Sequence, residues 1–207
     1  MFDDISQSSS IETDGNTLFS NEDPYSLSLR ITSFDDDKIF TRFCKNCERL
    51  IRSSPEYKLW AEYIRTTLGY VKCELTQELH SQVTTEIHHH PISLFTMTKS
   101  MILQYIEREK EFCSFDIAIK VIELHYSLDI GFCVLIGSLH EKFHNGYLLL
   151  PIDIVRGNYN NFIDKYSKYF DKDDAEIIEK RLEINYENCG YDKGYLWSSD
   201  HYQITKV

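Results

Sequence analysis

Apolar positions recur at helical spacing over most of the chain and alternate or run together in only a few short stretches. Residues 1–38 are rich in Ser, Asp, Asn and Thr and show little periodicity, so they read as an arm. Within that arm only Tyr25 to Ile31 alternates enough to pair as a short strand. Between Glu56 and Leu68, the residues Leu59, Trp60, Tyr63, Ile64 and Leu68 share one helical face behind Pro55. Val71 to Leu75 is a short strand candidate. Gln82 to His88 carries the β-branched Val83, Thr84, Thr85 and Ile87, which predicts a strand that ends at histidines and is stopped by Pro91. Two helices follow. One spans Thr98 to Lys110 with Met101, Ile102, Tyr105 and Ile106 on one face; the other is capped by Ser114 and turns Ile117, Ala118, Val121 and Ile122 inward. The apolar run Phe132 to Ile136, bounded by Gly131 and Gly137, predicts a buried strand. Ser138 starts a short helix through His144, Tyr147 to Leu150 predicts another strand, and helices are expected near residues 158–170 and 173–188.

The fold class expected is therefore α+β. The order around the histidines is strand, strand, short helix, with about 40 residues of helix inserted between the strands, a long connection for a compact domain. The expected organisation is an acidic arm at 1–38, a domain at 39–157 and a helical extension at 158–207.

Composition narrows the function. No apolar run approaches the roughly 20 residues of a membrane helix. The acidic, polar start lacks the basic and apolar regions of a secretory signal, so a cytoplasmic protein is expected, with the virion as an alternative location. Six cysteines, only one pair of them close in sequence, suit reduced thiols or metal ligands better than a disulfide framework. The net charge of −11 weighs against nucleic-acid binding, but it is unevenly spread. Residues 1–38 hold nine acids and two bases, whereas residues 39–72 hold seven bases and three acids. Arg42, Lys45, Arg49 and Arg52 in that basic stretch are candidate contacts to a nucleic-acid backbone, against the plainer reading of a solvated helix face.

The residues that carry chemistry are histidines. His140 and His144 lie four apart on the short helix, about 40° apart around its axis, so both imidazoles point the same way and can clamp a divalent ion. Alone, such a pair is equally two surface histidines. His88, His89 and His90 are consecutive at the end of the first strand, where His88 and His90 share one side and His89 takes the other. Cys44 and Cys47, spaced Cys-x-x-Cys, could hold a structural zinc with Cys73 or His80, or be ordinary thiols.

The segments E-I-H-H-H-P at 86–91 and F-C-V-L-I-G-S-L-H-E-K-F-H-N-G at 132–146 resemble the HNH (ββα-metal) endonuclease family. The run beginning H-H-H-P-I-S-L-F also resembles HNH-related proteins of large tailed phages. The resemblance implies a ββα-metal core in which His88, His140 and His144 hold one divalent metal (Mg, Mn, Ni or Zn) and His89 is the general base. It implies phosphodiester hydrolysis, with DNA as the expected partner. Two features depart from the family. Its middle Asn would fall near Gly131, with Asp129 close by, and the Cys-x-x-Cys before the helix is replaced by Ile136 and Leu139. The rival expectation is a catalytically degenerate scaffold serving as a phage structural or protein-binding factor, with the acidic arm meeting a protein partner.

Overall fold

The computed structural model describes Phe34, residues 36–144 and residues 147–188. Most of the acidic arm, including the strand expected at 25–31, lies outside the described residues.

The chain begins with a helical pair. Helix α1 (Asp37–Ser53) is capped by Asp36, whose carboxylate accepts from the Lys38 amide at 2.6 Å. Ser54 ends it and also starts α2 (Pro55–Thr66), its hydroxyl accepting from the Tyr57 amide at 3.1 Å, with Pro55 in the first helical position. Strand β1 (Thr85–His89) follows, then α3 (Leu94–Glu107) and α4 (Ser114–Tyr126). Strand β2 (Phe132–Ile136) runs straight into α5 (Gly137–His144), and α6 (Tyr159–Tyr166) and α7 (Lys172–Glu183) close the described chain. The α+β expectation holds at this level: the structure is mostly helical, with one two-stranded antiparallel sheet among the described residues.

That sheet separates two apolar clusters. In its register His88 faces Cys133 and His89 faces Phe132. Phe132 and Val134 point into the larger cluster, built from α1–α4 around Phe43, Trp60 and Met97. Cys133 and Leu135 point into a smaller one with Cys73, Leu75, Leu139 and Leu150. Directly opposed residues of an antiparallel pair share a face, so Ile87 and His89 belong to the larger side and His88 to the smaller.

The inserted helices supply most of the larger core. Helices α3 and α4 pack on α1, and the C-terminal helices join them. Lys99 of α3 pairs with Asp171 and, at 2.9 Å, with Asp174, which also accepts from the Thr96 hydroxyl at 3.0 Å. Residues 158–183 are thus packed onto the core through Phe162, Tyr166 and Ile178.

Two expected strands are absent. Val71 to Leu75 forms only an isolated bridge, Lys72 to Leu79, because its apolar members Cys73 and Leu75 fill the small cluster beside a turn with Gln77 at φ 60. Tyr147 to Leu150 buries Leu150 but leaves Tyr147 and Leu149 exposed, and no strand lies against it. Helix α3 starts four residues before its predicted start because Ser93 caps it, its hydroxyl accepting from the Thr96 amide at 3.0 Å. Helix α4 begins at Ser114 itself, with Asp116 accepting from the Cys113 amide at 2.8 Å.

Gly131 joins the helical insertion to the sheet. Its carbonyl accepts from the His90 amide at 3.1 Å, and a Cβ added to it would lie 1.9 Å from the His90 carbonyl oxygen. Gly131→Ala must therefore push β1 and β2 apart at the histidines. We expect a loss of about 3 kcal/mol in urea unfolding; an unchanged midpoint would contradict this close approach.

Candidate metal centre

The centre is assembled by strand pleat and helix pitch. His88 leaves β1 on the small-cluster side, where α5 packs across both strands. Leu139, buried in that cluster, seats α5, and the four-residue spacing then presents His140 and His144 together. The ring centroids of His88 lie 5.0 Å from those of both His140 and His144, and the latter two are 4.5 Å apart. Each imidazole offers one nitrogen, and the three nitrogens lie within 4.8 Å of one another.

The details suit a cation. The Nε2 atoms of His140 and His144 are 3.0 Å apart. Two nitrogens on one tetrahedral zinc, each about 2.0–2.1 Å away, would be separated by about 3.3 Å. His140 Nδ1 bonds the Glu86 carboxylate, which holds the ring and leaves Nε2 as the metal-facing nitrogen. His88 Nδ1 is buried without a hydrogen-bond partner among the described residues. Burial pushes His88 down to about 2, helped by the neighbouring His140, and burial also lowers His144. Both rings are thus neutral near pH 7, the form a metal requires.

His89 is elsewhere. Its Nε2 is 2.9 Å from His125 Nε2, and its ring stacks on Trp60 at 6.2 Å beside Tyr57. His125 is fully buried, and its Nδ1 donates to the Val121 carbonyl at 2.6 Å, so its Nε2 accepts a hydrogen bond from His89 Nε2. The role of general base implied by the resemblance therefore meets a contrary geometry. Strand alternation turns His89 into the aromatic core, on the face away from the three converging imidazoles. His90 is the neighbour on their side, with its ring 6.0 Å from His88, its Nε2 buried and unpartnered, and its pKa lowered by burial to about 3.

The other candidates are dispersed. Cys44 and Cys47 are buried on α1 in the large cluster, whereas Cys73 lies in the small one, so the three expected zinc ligands are not brought together. Burial pushes the Cys44 thiol up to about 12 and raises Cys47 further, as expected of core thiols. Asp129, near the expected Asn position, bonds Ser127 and Asn161 instead of a histidine. Arg42, Lys45 and Arg49 do line one shallow groove on α1 with Lys38. Arg52, one turn further on, is held by Glu48 at 2.9 Å, and its charge helps lower His144.

Two residues were missed from the sequence. Glu86 stands two positions before His88, the strand spacing that shares a face, and this was a readable signal. Arg181 gave none. From α7 it donates to the Pro91 carbonyl at 2.7 Å, and its positive charge helps lower His88, His90 and His144. No carboxylate pairs with it among the described residues, and partial burial lowers its own pKa.

A two-stranded antiparallel sheet with a helix laid across it, presenting clustered histidines, is the class of architecture described. The chain belongs to the bacteriophage G278-like virion protein family, whose model matches residues 2–199. It is a phage protein. No curated protein and no solved structure matches the chain. Among the described residues no helix is long and apolar enough to cross a membrane.

The buried pair gives a pH prediction. Burial lowers His125 to about 4, against about 6.5 in the unfolded chain. The unfolded chain therefore takes up its proton first as pH falls. The stability due to neutral His125 is whole above about pH 6.5 and declines toward pH 4, by about 3 kcal/mol. Urea midpoints at pH 7.5 and 4.5, in EDTA, should fall steeply for the wild type and less so for His125→Gln. Equal midpoints at both pH values would contradict a neutral buried pair.

Proposed function

We propose that this member of a virion protein family is a divalent-metal-dependent nuclease of the HNH type that hydrolyses phosphodiester bonds in DNA. The observation that carries the reading is the convergence of His88, His140 and His144, with Glu86 behind His140, on one side of a two-stranded antiparallel sheet with a helix across it. Such a triad leaves a coordination position open for a phosphate oxygen. When bound there, a divalent ion supplies Lewis acidity toward the phosphate and the leaving 3′ oxygen.

The chain's own residues do the rest. His90 is the neutral imidazole on the triad's side, and it takes the proton of the attacking water in place of His89. Arg181, partly buried and with no carboxylate in salt-bridge reach among the described residues, offers guanidinium N–H groups to the non-bridging phosphate oxygens. The groove of Lys38, Arg42, Lys45 and Arg49 holds the flanking backbone by charge, and Arg52 continues that line toward His144.

A second reading has its own support. His89 is held in the core, the family's middle Asn has no counterpart near Gly131, and Cys44, Cys47 and Cys73 do not converge, which favours a metal-stapled scaffold in a virion. Plasmid nicking with Mg²⁺, Mn²⁺, Ni²⁺ or Zn²⁺ separates the two. The wild type should nick DNA, His140→Ala should lose at least about 100-fold, and Arg181→Gln and His90→Gln about tenfold or more with melting unchanged. A protein that binds metal at the triad but cuts no DNA with any of these ions is the scaffold.

A further inference from the structure

A second cavity, of ≈ 400 Å³, lies where the C-terminal ends of α3, α4 and α6 meet, and it shares no residue with the histidine centre. Four cations line it, Arg108, Lys110, Lys120 and Lys165, against two acids, Glu123 and Asp129. Three of these six have partners. Lys120 bonds Glu123 at 2.6 Å. The Asp129 carboxylate is taken by Ser127 and by the Asn161 amide, at 2.9 and 2.7 Å. No carboxylate lies within salt-bridge reach of Arg108, Lys110 or Lys165 among the described residues. In a chain of net charge −11, a cavity lined by four cations and two acids, with Arg108, Lys110 and Lys165 free of salt bridges among the described residues, stands out.

The helix ends do not account for them. The terminal carbonyls already have backbone donors: the Lys110 amide bonds Tyr105 O, Ser127 bonds Glu123 O, and Asp129 bonds Leu124 O, at 3.0, 2.9 and 3.1 Å. A separate observation points to a polar ligand. Gln104 is only 6% exposed, lines the cavity, and its carboxamide finds no hydrogen-bond partner among the described residues. The amide is not among the fully buried, unpartnered polar atoms, so it opens onto the cavity, where a ligand can bond it. The rim is also held under strain. Glu109 (φ 50) and Leu128 (φ 57) adopt left-handed backbone, one beside Arg108 and Lys110, the other between Ser127 and Asp129.

We propose that this cavity binds a small ligand through a phosphate monoester or diphosphate group, the charged end of a nucleotide-sized molecule. Its volume lies in the range of small-molecule sites. Arg108 and Lys165 grip the anion from two sides, and Gln104 fixes its orientation. Phosphodiester backbone offers related chemistry, but a terminal phosphate carries the higher charge that three cations match.

Calorimetric titration of pyrophosphate into the full chain, in EDTA and at low salt, tests this. One saturable site is expected. It should weaken at least about tenfold in Gln104→Leu and in the double variant Arg108→Gln/Lys165→Gln, both melting as wild type, since each charge-assisted bond contributes on that scale. His140→Ala/His144→Ala should bind as wild type. Absence of saturable heat overturns the proposal, as does a loss confined to the histidine variant. Displacement of pyrophosphate by an oligonucleotide lacking terminal phosphates would also overturn it, in favour of a backbone track.

Discussion

A five-residue strand, buried at every position but Glu86, sorts three consecutive histidines into two environments. Because side chains alternate across a strand, His88 and His90 cannot share a side with His89. The register with β2 then decides which side is which, since His89 is opposite Phe132 and His88 opposite Cys133. A slip of one residue would carry the aromatic partner to the metal face and expose the metal face to the core. The centre therefore depends on that register more than on any single ligand.

Each side reinforces the register in its own way. On the core side, His89 donates to His125 and lies against Trp60, so β1 is tied to α4 and α2. On the other side, Glu86 reaches His140, so β1 is also tied to α5. The His89–His125 contact is buried, where an unpaired partner costs more than in water, whereas the Glu86–His140 contact lies at the surface. Arg181 then brings α7 to Pro91, just past the strand. The helices inserted between β1 and β2 are thus the support for the strand pair, because α3 and α4 bury the large cluster on which its inner face rests.

Much of this was legible in the sequence and the rest was not, for physical reasons. The run Phe132 to Ile136 stood out because a strand buried on both faces is continuously apolar, and it was found with its observed limits. The pairing of His140 with His144 followed from helix pitch alone. Their meeting with His88 did not, because it needs the register across a connection of about 40 residues. The zinc reading of Cys44, Cys47 and Cys73 failed for a related reason: local spacing says nothing about which side of the sheet each thiol occupies. Strand alternation already set His89 opposite His88 and His90; its general-base role came only from the family resemblance, and the structure sets that ring against Trp60 and His125. Arg181 was invisible, since only tertiary packing brings α7 near the end of β1.

The central claim is that three imidazoles from β1 and α5 hold one cation. Titrating the full chain with Co²⁺ while following visible absorption measures this directly. The account predicts ligand-field bands that saturate at one equivalent, and their disappearance in a variant in which His88, His140 and His144 are all Ala and the fold is retained. Bands of equal strength in that variant, or none in the wild type, would contradict it.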